Sequence, residues 1–124
     1  MRRKMAVRLR VPPGPTVVWR KTATGQRKPV VVKACEQTCE WVPSQWEGST
    51  TDGRPIYARY RHGYLSIRVG RVGQRIQQAV RSGREIVGLT IGDDLDGVMT
   101  YAELRRHTQG LVAWPKKPPR KRSL

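Results

Sequence analysis

Ile56-Tyr57-Ala58-Arg59-Tyr60-Arg61, then His62-Gly63, then Tyr64-Leu65-Ser66-Ile67-Arg68-Val69 is the stretch whose reading decides the fold. Apolar and polar side chains alternate on both sides of a two-residue break, the pattern of a β-hairpin. A turn at His62-Gly63 sets Arg61 opposite Tyr64, Arg59 opposite Ser66 and Tyr57 opposite Arg68. Side chains alternate between the two faces of a strand, so these six share one face. Ile56, Ala58, Tyr60, Leu65, Ile67 and Val69 share the other, which is the expected core face. Glycine and, less readily, histidine tolerate the positive φ such a turn requires.

Outward from the hairpin, residues 72–82 carry Val72, Ile76, Ala79 and Val80 at helical spacing, with Gln and Arg on the opposite side. Ser82-Gly83 ends that helix, with Gly83 as a left-handed cap. Residues 85–91 are rich in β-branched side chains and read as a strand. Gly92-Asp93-Asp94-Leu95-Asp96-Gly97 is an acidic loop. Thr100-Tyr101-Ala102-Glu103 has the form of a capping box and predicts a second helix over 101–108. A last short strand is expected within 111–114. Toward the N-terminus, 16–21 and 30–34 read as the strands of a second hairpin, joined by a polar loop over 22–29. Residues 35–47 are ambiguous between a helical turn and a loop. Residues 5–11 alternate apolar and Arg like an edge strand, and Pro12-Pro13-Gly14-Pro15 breaks any element there.

The fold class expected is α+β: a small antiparallel sheet around the hairpin, covered by one or two short helices, with basic flexible arms at both ends. The expected organisation is an arm over 1–15, one compact domain over 16–115 and a tail over 116–124. The chain has 124 residues, which suits one domain. Phe is absent, so the core rests on Val, Ile, Leu and the four Trp, with Trp46 in a polar neighbourhood that would also suit an exposed stacking residue.

Charge is spread unevenly. Residues 1–33 hold ten basic residues and no acid, and 116–124 hold five more, again with no acid. The remaining 34–115 hold ten Arg and all nine acids, so +15 of the net +16 lies in the flanks. One-sided flanks of this kind point to an anionic partner: nucleic acid first, an anionic membrane surface second, an acidic protein third. No run of ~18–20 apolar residues offers a membrane span. The N-terminus opens like a signal peptide, but Arg8 and Arg10 break its apolar region, so a cytoplasmic location and no membrane partner are expected.

The candidate contacts for DNA or RNA are Arg2, Arg3, Lys4, Arg8, Arg10, Arg27 and Lys28 in the N-terminal part, and Lys116, Lys117, Arg120, Lys121 and Arg122 in the tail. On the hairpin they are Tyr57, Arg59, Arg61, Tyr64 and Arg68. Aromatic rings between guanidinium groups suit bases stacking on rings and phosphates meeting Arg. The plainer reading of that face is cross-strand pairing on a solvated surface.

Other constellations carry less. Cys35 and Cys39 lack a second knuckle, and a zinc site would need both His62 and His107. A Cys35–Cys39 disulfide fits a turn or loop, but reduced thiols are the expectation. Asp93, Asp94 and Asp96 do not follow calcium-loop spacing and read as a turn rich in Asx residues, or as the contact for a basic partner protein. Nucleophile-elbow and phosphate-loop patterns are missing. No cofactor, metal site or catalytic set is expected. The function expected is therefore non-enzymatic nucleic-acid binding. The alternative is a small inhibitor of phage or mobile-element type that binds a nucleic-acid-processing protein complex.

Overall fold

A computed structural model describes residues 28–122 and the backbone of Thr16–Val17. In chain order the elements are β1 (Thr16–Val17), β2 (Val30–Cys39), β3 (Ser44–Thr50), β4 (Pro55–Arg61), β5 (Tyr64–Val69), α1 (Ile76–Ser82), β6 (Arg84–Thr90), α2 (Tyr101–His107), β7 (Val112–Ala113) and β8 (Arg120–Lys121). The chain is α+β. Seven strands follow one another in the order β1-β6-β5-β4-β3-β2-β7, and β8 also pairs with β2. Pairing is antiparallel except at β2, whose outer edge takes β7 and β8 in parallel.

The hairpin forms in the expected register, with Arg61 opposite Tyr64, Arg59 opposite Ser66 and Tyr57 opposite Arg68. His62 and Gly63 both have positive φ, 56° and 72°, which matches the twist of the flanking strands. Glycine is needed at 63 for a second reason: a Cβ there would strike the Gly92 carbonyl. The expected core face is fully packed. Trp46, Ile56, Ala58, Tyr60, Leu65, Ile67, Val69, Val87 and Leu89 line it, and Met99, Leu104, Val112 and Trp114 close over it. Each large apolar side chain buried here contributes about 1.5–3 kcal/mol.

The capping box of α2 makes both of its bonds, Thr100 Oγ1 accepting from the Glu103 N–H and Glu103 Oε1 from the Thr100 N–H. Trp114 Nε1 donates to Thr108 Oγ1, which in turn donates to the Leu104 carbonyl. The covering layer is thereby tied to the end of its own helix.

Several expectations are corrected. Thr16–Val17 pairs with β6, not with 30–34, so the second hairpin is not formed. Residues 35–39 continue β2, and β3 begins at Ser44. The first helix starts at Ile76 rather than at 72, because Gly73 takes a φ of 83° and the Gln74 side chain caps the Arg71 N–H. Val72 is therefore 70% exposed and Val80 41%, leaving Ala79 as the buried residue of α1. Gly83 has φ −64° and caps with its N–H on Ala79 O, not as a left-handed residue. Trp46 is fully buried, whereas Trp41 is 72% exposed. The C-terminal tail is not a free arm over its whole length, since Arg120–Lys121 is a strand on β2. The strand expected over 5–11, the side chain of Trp19 and the loop up to 27 lie outside the described residues.

Candidate nucleic-acid interface

Register places one residue from each of five strands in a row across the face opposite the core: Glu36, Glu47, Tyr57, Arg68 and Glu85. A second row holds Gln45, Arg59, Ser66 and Gly88, and a third holds Arg61, Tyr64 and Thr90. Residues directly opposite one another share a face, so the Tyr/Arg set is one sector of a wider polar surface.

That surface divides by charge. At the β2–β3 side, Arg122 bonds Glu36 at 2.7 Å and lies 3.7 Å from Glu47, while Lys121 meets Glu40 at 2.8 Å. Arg120 lies 4.0 Å from Glu36. The tail cations expected to meet phosphate are thus matched with the protein's own carboxylates. Lys116 and Lys117 remain exposed, and Lys116 joins Arg105, Arg106 and Trp114 around a groove between α2 and β7.

The hairpin sector differs. Tyr57 is 8% exposed and its hydroxyl donates to Gln45 Oε1 at 3.1 Å. Burial pushes that hydroxyl above its usual pKa, against the pull of Arg59 beside it. Tyr57 is therefore not a free stacking platform. Tyr64 and Ser66 both donate to Glu85 Oε2, at 3.1 and 2.7 Å. Arg68 donates through Nη1 to the Gly83 carbonyl at 3.3 Å. Arg59 and Arg61 stand exposed and, among the described residues, form no ion pair. With His62, Tyr64 and Ser66 they line a recess of about 400 Å³.

The opposite end of the hairpin carries a second cationic recess, of about 700 Å³, lined by Arg54, Arg71 and Arg84 with Gln74, Ser82 and Gly83. Arg54 is steadied by Asp52 at 3.0 Å. On the polar face Arg61, Arg59 and Arg68 lead toward this end, where Arg68 bonds Gly83 of the lining, whereas Arg84, opposite Val69, belongs to the other face. From Tyr64, opposite Arg61, to Arg68 is four residues of β5, which gives that run a length of about 13 Å. Arg54, Arg71 and Arg84 are distant in sequence, and nothing local marks them as a group. Glu85 is equally hidden in the sequence, because it joins the face only through the pairing of β6 with β5.

The acidic loop is built into the hairpin turn. Asp96 Oδ2 accepts from the Tyr60 hydroxyl at 2.6 Å, and its carbonyl accepts from the Gly63 N–H. The Asp94 carbonyl meets His62 Nδ1, and Asp93 Oδ1 accepts from the Leu95 N–H in an Asx turn. Asp93 and Asp94 are exposed. Among the described residues, no group of three His, Cys, Asp or Glu is placed to hold a metal ion.

Cys35 and Cys39 lie on one extended strand and are unbridged; four residues of strand span about 13 Å, beyond the reach of a disulfide. Burial raises the pKa of the Cys35 thiol, with the Tyr101 hydroxyl as its partner. Arg2, Arg3, Lys4, Arg8, Arg10 and Arg27 lie outside the described residues, and Lys28 is exposed. No helix among the described residues is long and apolar enough to cross a membrane. No protein family, curated protein or solved structure shows a significant match to this chain.

Proposed function

We propose that this protein binds nucleic acid through the hairpin sector of its polar face and does so without catalysing a reaction on it. The observation that carries this reading is the pair Arg59 and Arg61, exposed beside Tyr64 around one recess and unmatched by carboxylates among the described residues. The recess of Arg54, Arg71 and Arg84 extends the cationic surface to the far end of the hairpin. A run of about 13 Å spans the axial rise of about four nucleotides of one duplex strand, whose charges repeat every 3.4 Å of helix axis. The ten cations of residues 1–33 add sequence-independent phosphate contacts.

Fluorescence anisotropy with single-stranded DNA, duplex DNA and structured RNA, titrated over salt, tests the reading. Six to ten phosphate contacts would lose about 10³–10⁵ in affinity between 50 and 200 mM salt. Binding that persists near physiological salt and falls in this way supports the proposal, and the preferred ligand distinguishes stacking from backbone recognition. Loss of binding to all three ligands near physiological salt overturns it.

A further inference from the structure

Four large apolar side chains are exposed where two loops meet: Trp41 at 72%, Val42 at 62%, Leu95 at 93% and Val98 at 51%. Trp41 and Val42 sit in the turn between β2 and β3, and Leu95 and Val98 flank Gly97 in the segment after β6. The Ser44 N–H donates to the Gly97 carbonyl at 2.9 Å, and Ser44 Oγ accepts from the Met99 N–H while donating to the Trp41 carbonyl. The Val42 side chain lies against Gly97, so closely that a Cβ on Gly97 would clash with it. The two loops are therefore held side by side at one end of the sheet, and each of the four apolar side chains on them is exposed. Clustered exposed apolar residues of this size, with a Trp among them, are characteristic of protein-binding surfaces.

The charge beside the patch identifies the occupant. Eight of the nine acidic side chains have a partner: Glu36, Glu40 and Glu47 the tail, Asp52 Arg54, Glu85 Tyr64 and Ser66, Asp93 the Leu95 N–H, Asp96 Tyr60, and Glu103 the helix cap. Asp94, next to Leu95, is the ninth, and among the described residues its carboxylate has none. Asp94, which no described cation takes up, gives the rim of the apolar patch a carboxylate complementary to a Lys or Arg on a partner. We infer that the 41–42 and 95–98 loops form a docking surface for a second protein, which offers apolar side chains flanked by Lys or Arg. This surface adjoins the cationic hairpin sector at His62, whose Nδ1 meets the Asp94 carbonyl, and does not rest on nucleic-acid binding. The net positive charge of the chain opposes such a partner only weakly at physiological salt, where screening acts over about 8 Å.

The test uses the full chain and two synthetic peptides of equal length, one alternating Leu with Lys and one alternating Leu with Glu. Binding is followed by amide chemical shifts near physiological salt, with sedimentation velocity on the protein alone. The Lys peptide is expected to shift the amides of Val42, Leu95 and Val98, and the Glu peptide to leave them in place. Trp41→Ser and Leu95→Ser should each weaken the Lys peptide about tenfold, the scale of a truncated interface anchor. Asp94→Asn should weaken it with the spectrum otherwise unchanged. Shifts at these amides with neither peptide, or equal shifts with both, overturn the inference. Concentration-dependent dimerisation abolished by Trp41→Ser also overturns it, by making the patch a self-interface.

Discussion

The Tyr60 hydroxyl donates to Asp96 Oδ2 at 2.6 Å, joining the core face of the hairpin to a loop 36 residues further along the chain. Tyr60 is 1% exposed, so its hydroxyl has left water and depends on this acceptor. Burial and the neighbouring carboxylate together raise the pKa of that hydroxyl, which stays protonated and donating. The bond also sets the loop against the turn, where the Gly63 N–H reaches the Asp96 carbonyl at 2.7 Å. Asp96→Ala leaves the hydroxyl buried and unpartnered and should cost about 1.5–3 kcal/mol, as expected for a bond to a charged group. Tyr60→Phe removes the donor and leaves the half-buried Asp96 carboxylate able to turn to water, and should cost less. Urea denaturation of both variants checks the order, and a fully stable Asp96→Ala protein would contradict it.

Arg59 and Arg61 serve no internal ion pair among the described residues, whereas Arg68 holds the Gly83 carbonyl. Arg59→Ser with Arg61→Ser should therefore leave stability within about 0.5 kcal/mol, as for surface positions generally. The same double variant should lower the slope of log affinity against log salt by about two, one for each phosphate left without its guanidinium. Adding Arg68→Ser should lower the thermal midpoint as well. An unchanged slope in the double variant would mean that nucleic acid binds at another part of the surface.

Carboxylates on β2 and β3 already hold the tail cations that a nucleic-acid ligand would need. Glu36→Gln combined with Glu47→Gln releases Arg122 from both of its carboxylates. Binding at low salt should tighten and the salt slope should steepen. Deleting residues 116–124 removes five cations, but Arg120, Lys121 and Arg122 are already matched internally, so the slope should fall by less than five. That deletion also uncovers the end of the β2 edge, a template for pairing with other chains, and should raise aggregation in light scattering.

His107 lies at the C-terminal end of α2, where burial depresses its pKa and the neighbouring Arg106 depresses it further. A depressed value means that the folded state binds a proton less readily than the unfolded chain. Its contribution is present above the ordinary value near 6.5 and is lost as pH falls through the lower folded value. Thermal midpoints should fall from about pH 7 to pH 5, and His107→Gln should flatten that part of the profile. An identical slope in the variant would assign the titration to another group.

Much of the hairpin sector is readable because its information is local. Alternation and a two-residue turn decide which side chains share a face within 56–69, and the observed register matches residue for residue. The second helix is readable for the same reason, since Thr100 and Glu103 cap within one turn. The start of the first helix is not. Its apolar spacing extends back to Val72, but a positive φ at Gly73 and the Gln74 cap stop the helix short.

The sequence by itself determined the alternating hairpin, its core face, the α2 cap and the excess of positive charge, because each depends on neighbours within a few residues or on composition alone. Tertiary structure decided what the charges meet. Tail cations found Glu36 and Glu47 across more than 70 residues of chain because β8 pairs with the outer edge of β2. Glu85 entered the Tyr/Arg face, and Arg54, Arg71 and Arg84 gathered at the far end of the hairpin, through strand order. Trp46 went inside and Trp41 outside because pairing with Ala58 turns one toward the covered face, while the other sits in a turn beyond the sheet. Strand order and register are set by burial summed over the whole sheet, and no window of sequence contains that sum.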